Sequence, residues 1–287
     1  MVNEHDLVDI LLYRHEGYGS NLDPETKEKI IFLRNRKQFI LLPFAPKTAG
    51  TFLRNMIAKA TDGRLVSFTF SPKKSARDLY LPAFVRLADN GPRDEVLIAH
   101  QHTFGFPANV QLIRLWNIKC LYVTRPIIDS IKSLQQMVVG GWESSPPKDK
   151  GTGGGMQMYV DKYCLDMSEA ELKSYFMRSC LPWYLNYHMS WISKKDSLRK
   201  SLTIINYEDF SNDDVQVTAR VLAKMGFERS IDDIAKIKGE LMGDPEKVRF
   251  NKGQHGTGRD FYSREDIKFY EQYLEPFKEI LIANDIY

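Results

Sequence analysis

Cysteine is scarce in this chain of 287 residues: Cys120, Cys164 and Cys180 are the whole supply. None belongs to a Cys-x-x-Cys pair and the count is odd. A disulfide framework or a zinc site is therefore excluded, and a reducing compartment fits. Long apolar runs are missing as well; none approaches the ~20 residues of a membrane-spanning helix. The first stretch, MVNEHDLVDILLYRHEGYG, carries Glu4, Asp6 and Asp9 where a secretory leader has basic residues and an apolar core. Charge of one sign is also lacking, with 40 Lys and Arg against 37 Asp and Glu, so nothing supports wholesale nucleic-acid binding or an acidic tail. No internal repeat or interdomain linker stands out. The expectation is a soluble, cytoplasmic protein with one domain spanning 1–287 and enough chain for a substantial core.

A further absence concerns phosphate binding. Nucleoside triphosphate enzymes read G-x-x-x-x-G-K-[ST], with the lysine after the second glycine. Here Lys47 follows Pro46 and precedes Gly50, the one glycine of PFAPKTAGTF. No D-x-x-G or other obvious Mg²⁺-holding pattern follows a strand candidate either. An ordinary P-loop kinase-like phosphotransferase is thus disfavoured, although it stays the second reading.

What is present is a strand, a small-residue turn and a helix. FILL (39–42) has the length of an inner strand of a parallel sheet, and Phe52, Leu53, Met56 and Ile57 come after it at helical spacing. Lys47, Thr48, Ala49, Gly50 and Thr51 fall in the turn between them. Such a turn aims backbone N–H groups and a helix start at one place, where anions bind. Three more apolar, β-branched runs read as strands: VLIAH (96–100), IKCLYVT (118–124) and LTIIN (202–206). Helical patterns lie between them, one opening near Pro126, one stopping at Gly226 and one capped by Ser263. Alternating strands and helices give an α/β fold, a P-loop-like parallel sheet flanked by helices.

Ligand sites in such sheets lie beyond the C-terminal ends of the strands. The residues found there are Lys47 to Thr51, then His100 and His102, then Arg125 with Ser130 and Ser133 downstream, then Tyr207-Glu208-Asp209. A late glycine-punctuated stretch, VRFNKGQHGTGRDFYS, adds Arg249, Lys252, His255 and Arg259. Any one of these is commonly a solvated surface residue. Clusters at successive strand ends are harder to dismiss.

These segments resemble those of the PAPS-dependent sulfotransferases. PKTAGTF is similar to their 5′-phosphosulfate loop, and LYVTRPIIDSIKS resembles their 3′-phosphate segment, with Arg125 ending a strand and Ser133 eight positions on. INYEDFSND and RFNKGQHGTGRDFYSREDIKFYEQYL resemble two later family stretches, and all four stand in family order. Ala49 in place of a glycine, the early Pro126, and Asn251 in place of an arginine mark a divergent, bacterial-type member. The resemblance implies the sulfotransferase fold and transfer of a sulfuryl group from PAPS to a hydroxyl of a small-molecule, lipid or carbohydrate acceptor, releasing 3′,5′-ADP without a metal.

It also implies roles. Lys47 neutralises the leaving group, and Thr48, Ala49, Gly50 and Thr51 cradle the 5′-phosphate. Arg125, Ser133, Lys252 and Gly253 hold the 3′-phosphate, and Phe52 with Tyr207 serves the adenine or else packs in the core. The base is His100 or His102: the family's spacing to the arginine favours His102, and the H-x-x-x-x-x-x-P pattern ending at Pro107 favours His100. If neither serves, Glu143 or Asp129 is the next acid to consider. A chain that kept the fold but lost the base would be a non-catalytic nucleotide-binding module. Trp142, Trp183, Tyr184, Tyr187 and Trp191 read as an acceptor-pocket wall, although the helical stripe Trp183, Tyr187 and Trp191 is more often core packing. The segment from Gly140 to Gly155, with six glycines and two prolines in 16 residues, reads as a flexible lid.

Overall fold

The computed structural model describes residues 28, 31–70, 78–143, 166–243 and 256–287. Five strands, β1 (Lys37–Leu42), β2 (Arg64–Val66), β3 (Glu95–His100), β4 (Lys119–Thr124) and β5 (Leu202–Asn206), form one sheet in the order β2-β3-β1-β4-β5. Every pairing is parallel. The four longer strands are those expected from the apolar runs. β2 has only three residues, too few for a periodicity to show.

Alternation along the strands divides the interior in two. Phe39, Leu41, Leu97, Ala99, Cys120 and Tyr122 face one core; Ile40, Leu42, Val96, Ile98, Leu121 and Val123 face the other. On the first face lie α2 (Leu81–Asp89), α3 (Pro107–Leu115), α4 (Ile127–Glu143) and the long α5 (Glu169–Ile192). On the second lie α1 (Gly50–Ala60), α6 (Tyr207–Asn212), α7 (Asp214–Lys224) and α8 (Ile231–Met242). A strand buried on both faces reads as a near-continuous apolar run, which is why FILL and CLYV were visible.

Helix ends follow local chemistry. Ser168 caps α5 in a reciprocal capping box with Glu171, and Gly226 takes φ +87° just past α7. A short α9 (Gly258–Phe261) leads to α10 (Arg264–Leu274), whose cap is Ser263, as expected. The amphipathic tail is broken at a 3₁₀ turn (Glu275–Phe277) carrying Pro276, before α11 (Lys278–Ile282). The start of the expected lid needs correction: Gly140 to Glu143 continue α4, and residues 144–155 lie outside the described residues.

Strand order places the site. β1 is central, with β3 on one side and β4 on the other, and Leu42 at its end pairs with His100. The turn after β1 is therefore flanked by the residues beyond the end of β3 and those beyond the end of β4.

Candidate active site

The loop from Pro43 to Ala49 leaves the sheet, so its backbone carbonyls need partners from elsewhere. Five consecutive carbonyls have one, each from a side chain. Tyr187 Oη donates to Pro43 O at 3.0 Å, and His102 Nδ1 bonds Phe44 O at 2.5 Å. Thr48 Oγ1 donates to Ala45 O at 2.8 Å, Tyr184 Oη to Pro46 O at 3.0 Å, and Arg125 Nη1 to Lys47 O at 2.5 Å. In a trans peptide the C=O and the next N–H point opposite ways, and this chain has no cis bond among the described residues. Fixing Pro46 O and Lys47 O therefore fixes the amides of Lys47 and Thr48 on the other side.

The loop is strained. Lys47 and Ala49 both adopt left-handed φ, +69° and +59°, a conformation that costs a non-glycine residue roughly 1–2 kcal/mol. Such geometry persists where surrounding contacts over-determine it, and the five side chains do so. α1 then begins with no side-chain cap and no acidic residue in its first turn, leaving the positive end of the helix uncompensated. Gly50 is required sterically. A Cβ there would meet His100 Nε2 at 2.6 Å and Phe44 Cδ2 at 2.7 Å.

Both histidines thus adjoin the loop, their rings 5.9 Å apart and nearly perpendicular. A carbonyl can only accept, so the bond to Phe44 O puts the His102 proton on Nδ1 and leaves Nε2 with its lone pair. Burial lowers the His102 pKa, with the Phe44 bond opposing it. Burial, helped by His102 and Arg54, brings His100 down to about 3. His188 is core: it is fully buried against Tyr122 Oη.

On the other flank, Arg125 is 5% exposed and stacks its guanidinium 4.2 Å from the centre of the Tyr207 ring while holding Lys47 O. Tyr207 therefore supports Arg125. Ser133 lies half-buried on α4, and Ser130, fully buried nearby, has a hydroxyl without a partner among the described residues. Phe52 does not join the group. It is 2% exposed in the second core, with its ring 6.2 Å from Phe210.

Asp129 has a structural task. Its two carboxylate oxygens accept from the amides of Gly256 and Gly258, both at 2.7 Å. Lys132 Nζ adds bonds to Thr257 O and Oγ1 at 3.2 and 2.8 Å. The glycine-punctuated stretch is thereby pinned to the first turns of α4. Lys252, Gly253 and His255 lie outside the described residues, as does Cys164. Lys132 is a side chain that the sequence did not single out; Tyr184 and Tyr187 were read only as rings. Trp183 stacks on Tyr187 at 4.8 Å and meets Phe104 edge-on at 5.6 Å, so that part of the stripe is packing.

Among the described residues no helix is long and apolar enough to cross a membrane, and no three His, Cys, Asp or Glu side chains gather as a metal site. No family model matches the chain, and no curated protein matches it. Solved structures do. Mouse sulfotransferase SULT7A1 complexed with PAP superposes with a TM-score of 0.55 at 14% identity, over 87% of this chain and 88% of that one. Retinol dehydratase in a complex with retinol and PAP gives 0.52 at 15% identity, over 88% and 83%. The same enzyme with androsterone and PAP gives 0.53 at 14%. At these identities the likeness is one of architecture, and the architecture is the sulfotransferase fold.

Proposed function

We propose that the chain is a PAPS-dependent O-sulfotransferase. The observation that carries this reading is the loop after β1, which carries Lys47 and whose carbonyls are drawn away by five side chains, His102 and Arg125 among them. The donor set suits a doubly phosphorylated nucleotide. A lysine, uncapped helix amides and a buried arginine adjoin one loop, and Gly50 lets His100 and Phe44 pack directly against the start of the helix. The solved neighbours were crystallised with PAP, which is 3′,5′-ADP.

When bound, PAPS supplies an activated sulfuryl group with 3′,5′-ADP as the leaving group. Lys47 sets a positive charge where that leaving group gathers negative charge, and the amides of Lys47, Thr48, Gly50 and Thr51 hold the 5′-phosphate. Arg125 and Ser133 would take the 3′-phosphate, and the resemblance assigns Lys252 and Gly253 to the same group; the planar guanidinium suits a two-pronged contact. His102 Nε2 accepts the proton of the acceptor hydroxyl, since its other nitrogen is fixed by Phe44 O. His100, wedged against Gly50 and held near 3, is the weaker acceptor. The retinol and androsterone of the neighbouring complexes fit a small-molecule or lipid hydroxyl, and a carbohydrate hydroxyl meets the same chemical need.

Calorimetric titration with 3′,5′-ADP and with ATP, each with and without Mg²⁺, tests the reading. Metal-independent binding of 3′,5′-ADP, with ATP weaker, supports it. Tighter, Mg²⁺-dependent binding of ATP sinks it in favour of a phosphotransferase. Binding of 3′,5′-ADP with no transfer from PAPS to any hydroxyl acceptor leaves a nucleotide-binding module.

A further inference from the structure

We propose that Tyr184 and Tyr187 of α5 are positioning residues, whose hydroxyls orient the amides that receive the 5′-phosphate and the strand end on which His102 rests. The proposal depends on the nucleotide reading above.

Pro43 and Pro46 have no N–H and sit beyond the last sheet pairing, so each contributes only a carbonyl to the backbone account. Those two oxygens are the ones the tyrosines take, across 144 and 138 residues of sequence. Pro46 O shares its peptide plane with the amide of Lys47. The Tyr184 bond therefore aims that amide away from α5, and Arg125 does the same for the amide of Thr48. Pro43 O shares its plane with the amide of Phe44, the residue whose own carbonyl receives His102 Nδ1. One helix thus sets both halves of the site.

The rings themselves are packed independently of the hydroxyls. Tyr184 lies against Trp183 and His188, with centroids at 5.3 and 6.3 Å. Tyr187 lies between Trp183 and Phe104, both at 4.8 Å. Phenylalanine keeps that packing and removes one donor, leaving a buried carbonyl free to turn.

The test compares 3′,5′-ADP with 3′-AMP, which lacks the 5′-phosphate, by calorimetry on the full chain. Tyr184→Phe should weaken 3′,5′-ADP about tenfold while 3′-AMP stays within about twofold, since only the 5′-phosphate loses its oriented amides. Tyr122→Phe serves as the control. Tyr122 is equally buried and its hydroxyl meets His188, so its loss should lower the thermal midpoint and leave the ratio of the two affinities unchanged. Tyr187→Phe should lower kcat more than it changes either affinity, and it carries the test alone if Tyr184→Phe does not fold. For Tyr184→Phe, equal weakening of both nucleotides, or none, overturns the inference, and so does an unchanged kcat in Tyr187→Phe, while the nucleotide reading stands. Failure of the unmutated chain to bind 3′,5′-ADP overturns both.

Discussion

Two regions of the site are built on opposite plans. The loop after β1 is held from five directions by side chains of α4's approach, α5, the β3 exit and its own Thr48, most of them buried. The stretch at Gly256–Gly258 is held by one carboxylate and one lysine, both from α4. Where charge develops during a reaction, donors should not have to move, and the first region meets that need. The second is anchored at Gly256 and Gly258 by the carboxylate of the buried Asp129. The difference predicts that substitutions in the first region reach turnover as well as nucleotide affinity, and that those in the second reach affinity alone.

The largest effect should come from Lys47→Ala. Its loop keeps every carbonyl partner, since these are backbone contacts, so the protein should fold with an unaltered thermal midpoint within a degree or two. Turnover should lose about 2–4 kcal/mol of transition-state stabilisation, the range for one preorganised charge-stabilising donor. Steady-state kinetics with PAPS reads this directly. A variant as fast as the parent would remove the leaving-group role and leave the loop as a binding site alone.

Asp129→Asn tests the other plan. The carboxylate accepts two backbone N–H bonds, and an amide can supply only one acceptor in the same place. The expected cost is about 1.5–3 kcal/mol, the value of a hydrogen bond to a charged group. It should appear in 3′,5′-ADP affinity much more than in affinity for 5′-AMP, which lacks the 3′-phosphate. Equal losses for the two nucleotides would show that the pinned stretch does not serve the 3′ end.

Acid sharpens the comparison further, because the first region contains histidines kept neutral by burial. With the His102 pKa lowered, its base form persists below the ~6.5 of a free imidazole. Activity should hold to lower pH than that and then fall about tenfold per unit. An acid limb at or above ~6.5 in kcat/KM would speak against His102. Stability moves with the same sign. His100 and His188 sit near 3 when folded, so between that value and ~6.5 the unfolded chain binds more protons and folding weakens as pH falls. Thermal midpoints measured across that window should decline toward acid, with 3′,5′-ADP binding shifting them upward at every pH.

The sequence made one of these regions far more legible than the other. A parallel sheet lines up the C-terminal ends of its strands. Reading, in order, the residues just beyond FILL, VLIAH, CLYVT and LTIIN was therefore enough to gather Lys47, His100, His102 and Arg125 at one place. Tyr184 and Tyr187 escaped because their partners are 138 and 144 residues distant. At i and i+3 on a buried helix they look like packing, and their rings are. Asp129 was read only as a fallback base: an acid in a helix's first turn has a local explanation in the helix dipole, which hides its bonds to residues 127 and 129 positions away. Phe52 was open in the sequence between the adenine and the core, and the helical period turns its ring into the second core.

The smallest effect concerns two neighbouring residues with opposite expectations. Ala49 stands where the resembling loops carry glycine, and its φ of +59° is left-handed. Ala49→Gly relieves that strain but adds freedom to the unfolded chain, terms of roughly 1–2 and 0.5–1 kcal/mol respectively. The net is a stabilisation of about 1 kcal/mol or less, a rise of up to about 2–4 °C in thermal midpoint for a chain of this size. Gly50→Ala is the reverse case. Its Cβ would lie 2.6 Å from His100 Nε2 and 2.7 Å from Phe44 Cδ2, and the ring beside it is packed at 5.4 Å against Phe44, so it has little room to retreat. Destabilisation of about 1–3 kcal/mol is expected from such overpacking, together with a displaced His100. Because the two residues are adjacent, differences in exposure or helix position cannot account for opposite signs. Should both variants shift the midpoint the same way, backbone strain at Ala49 is not what the five side chains around the loop are holding in place.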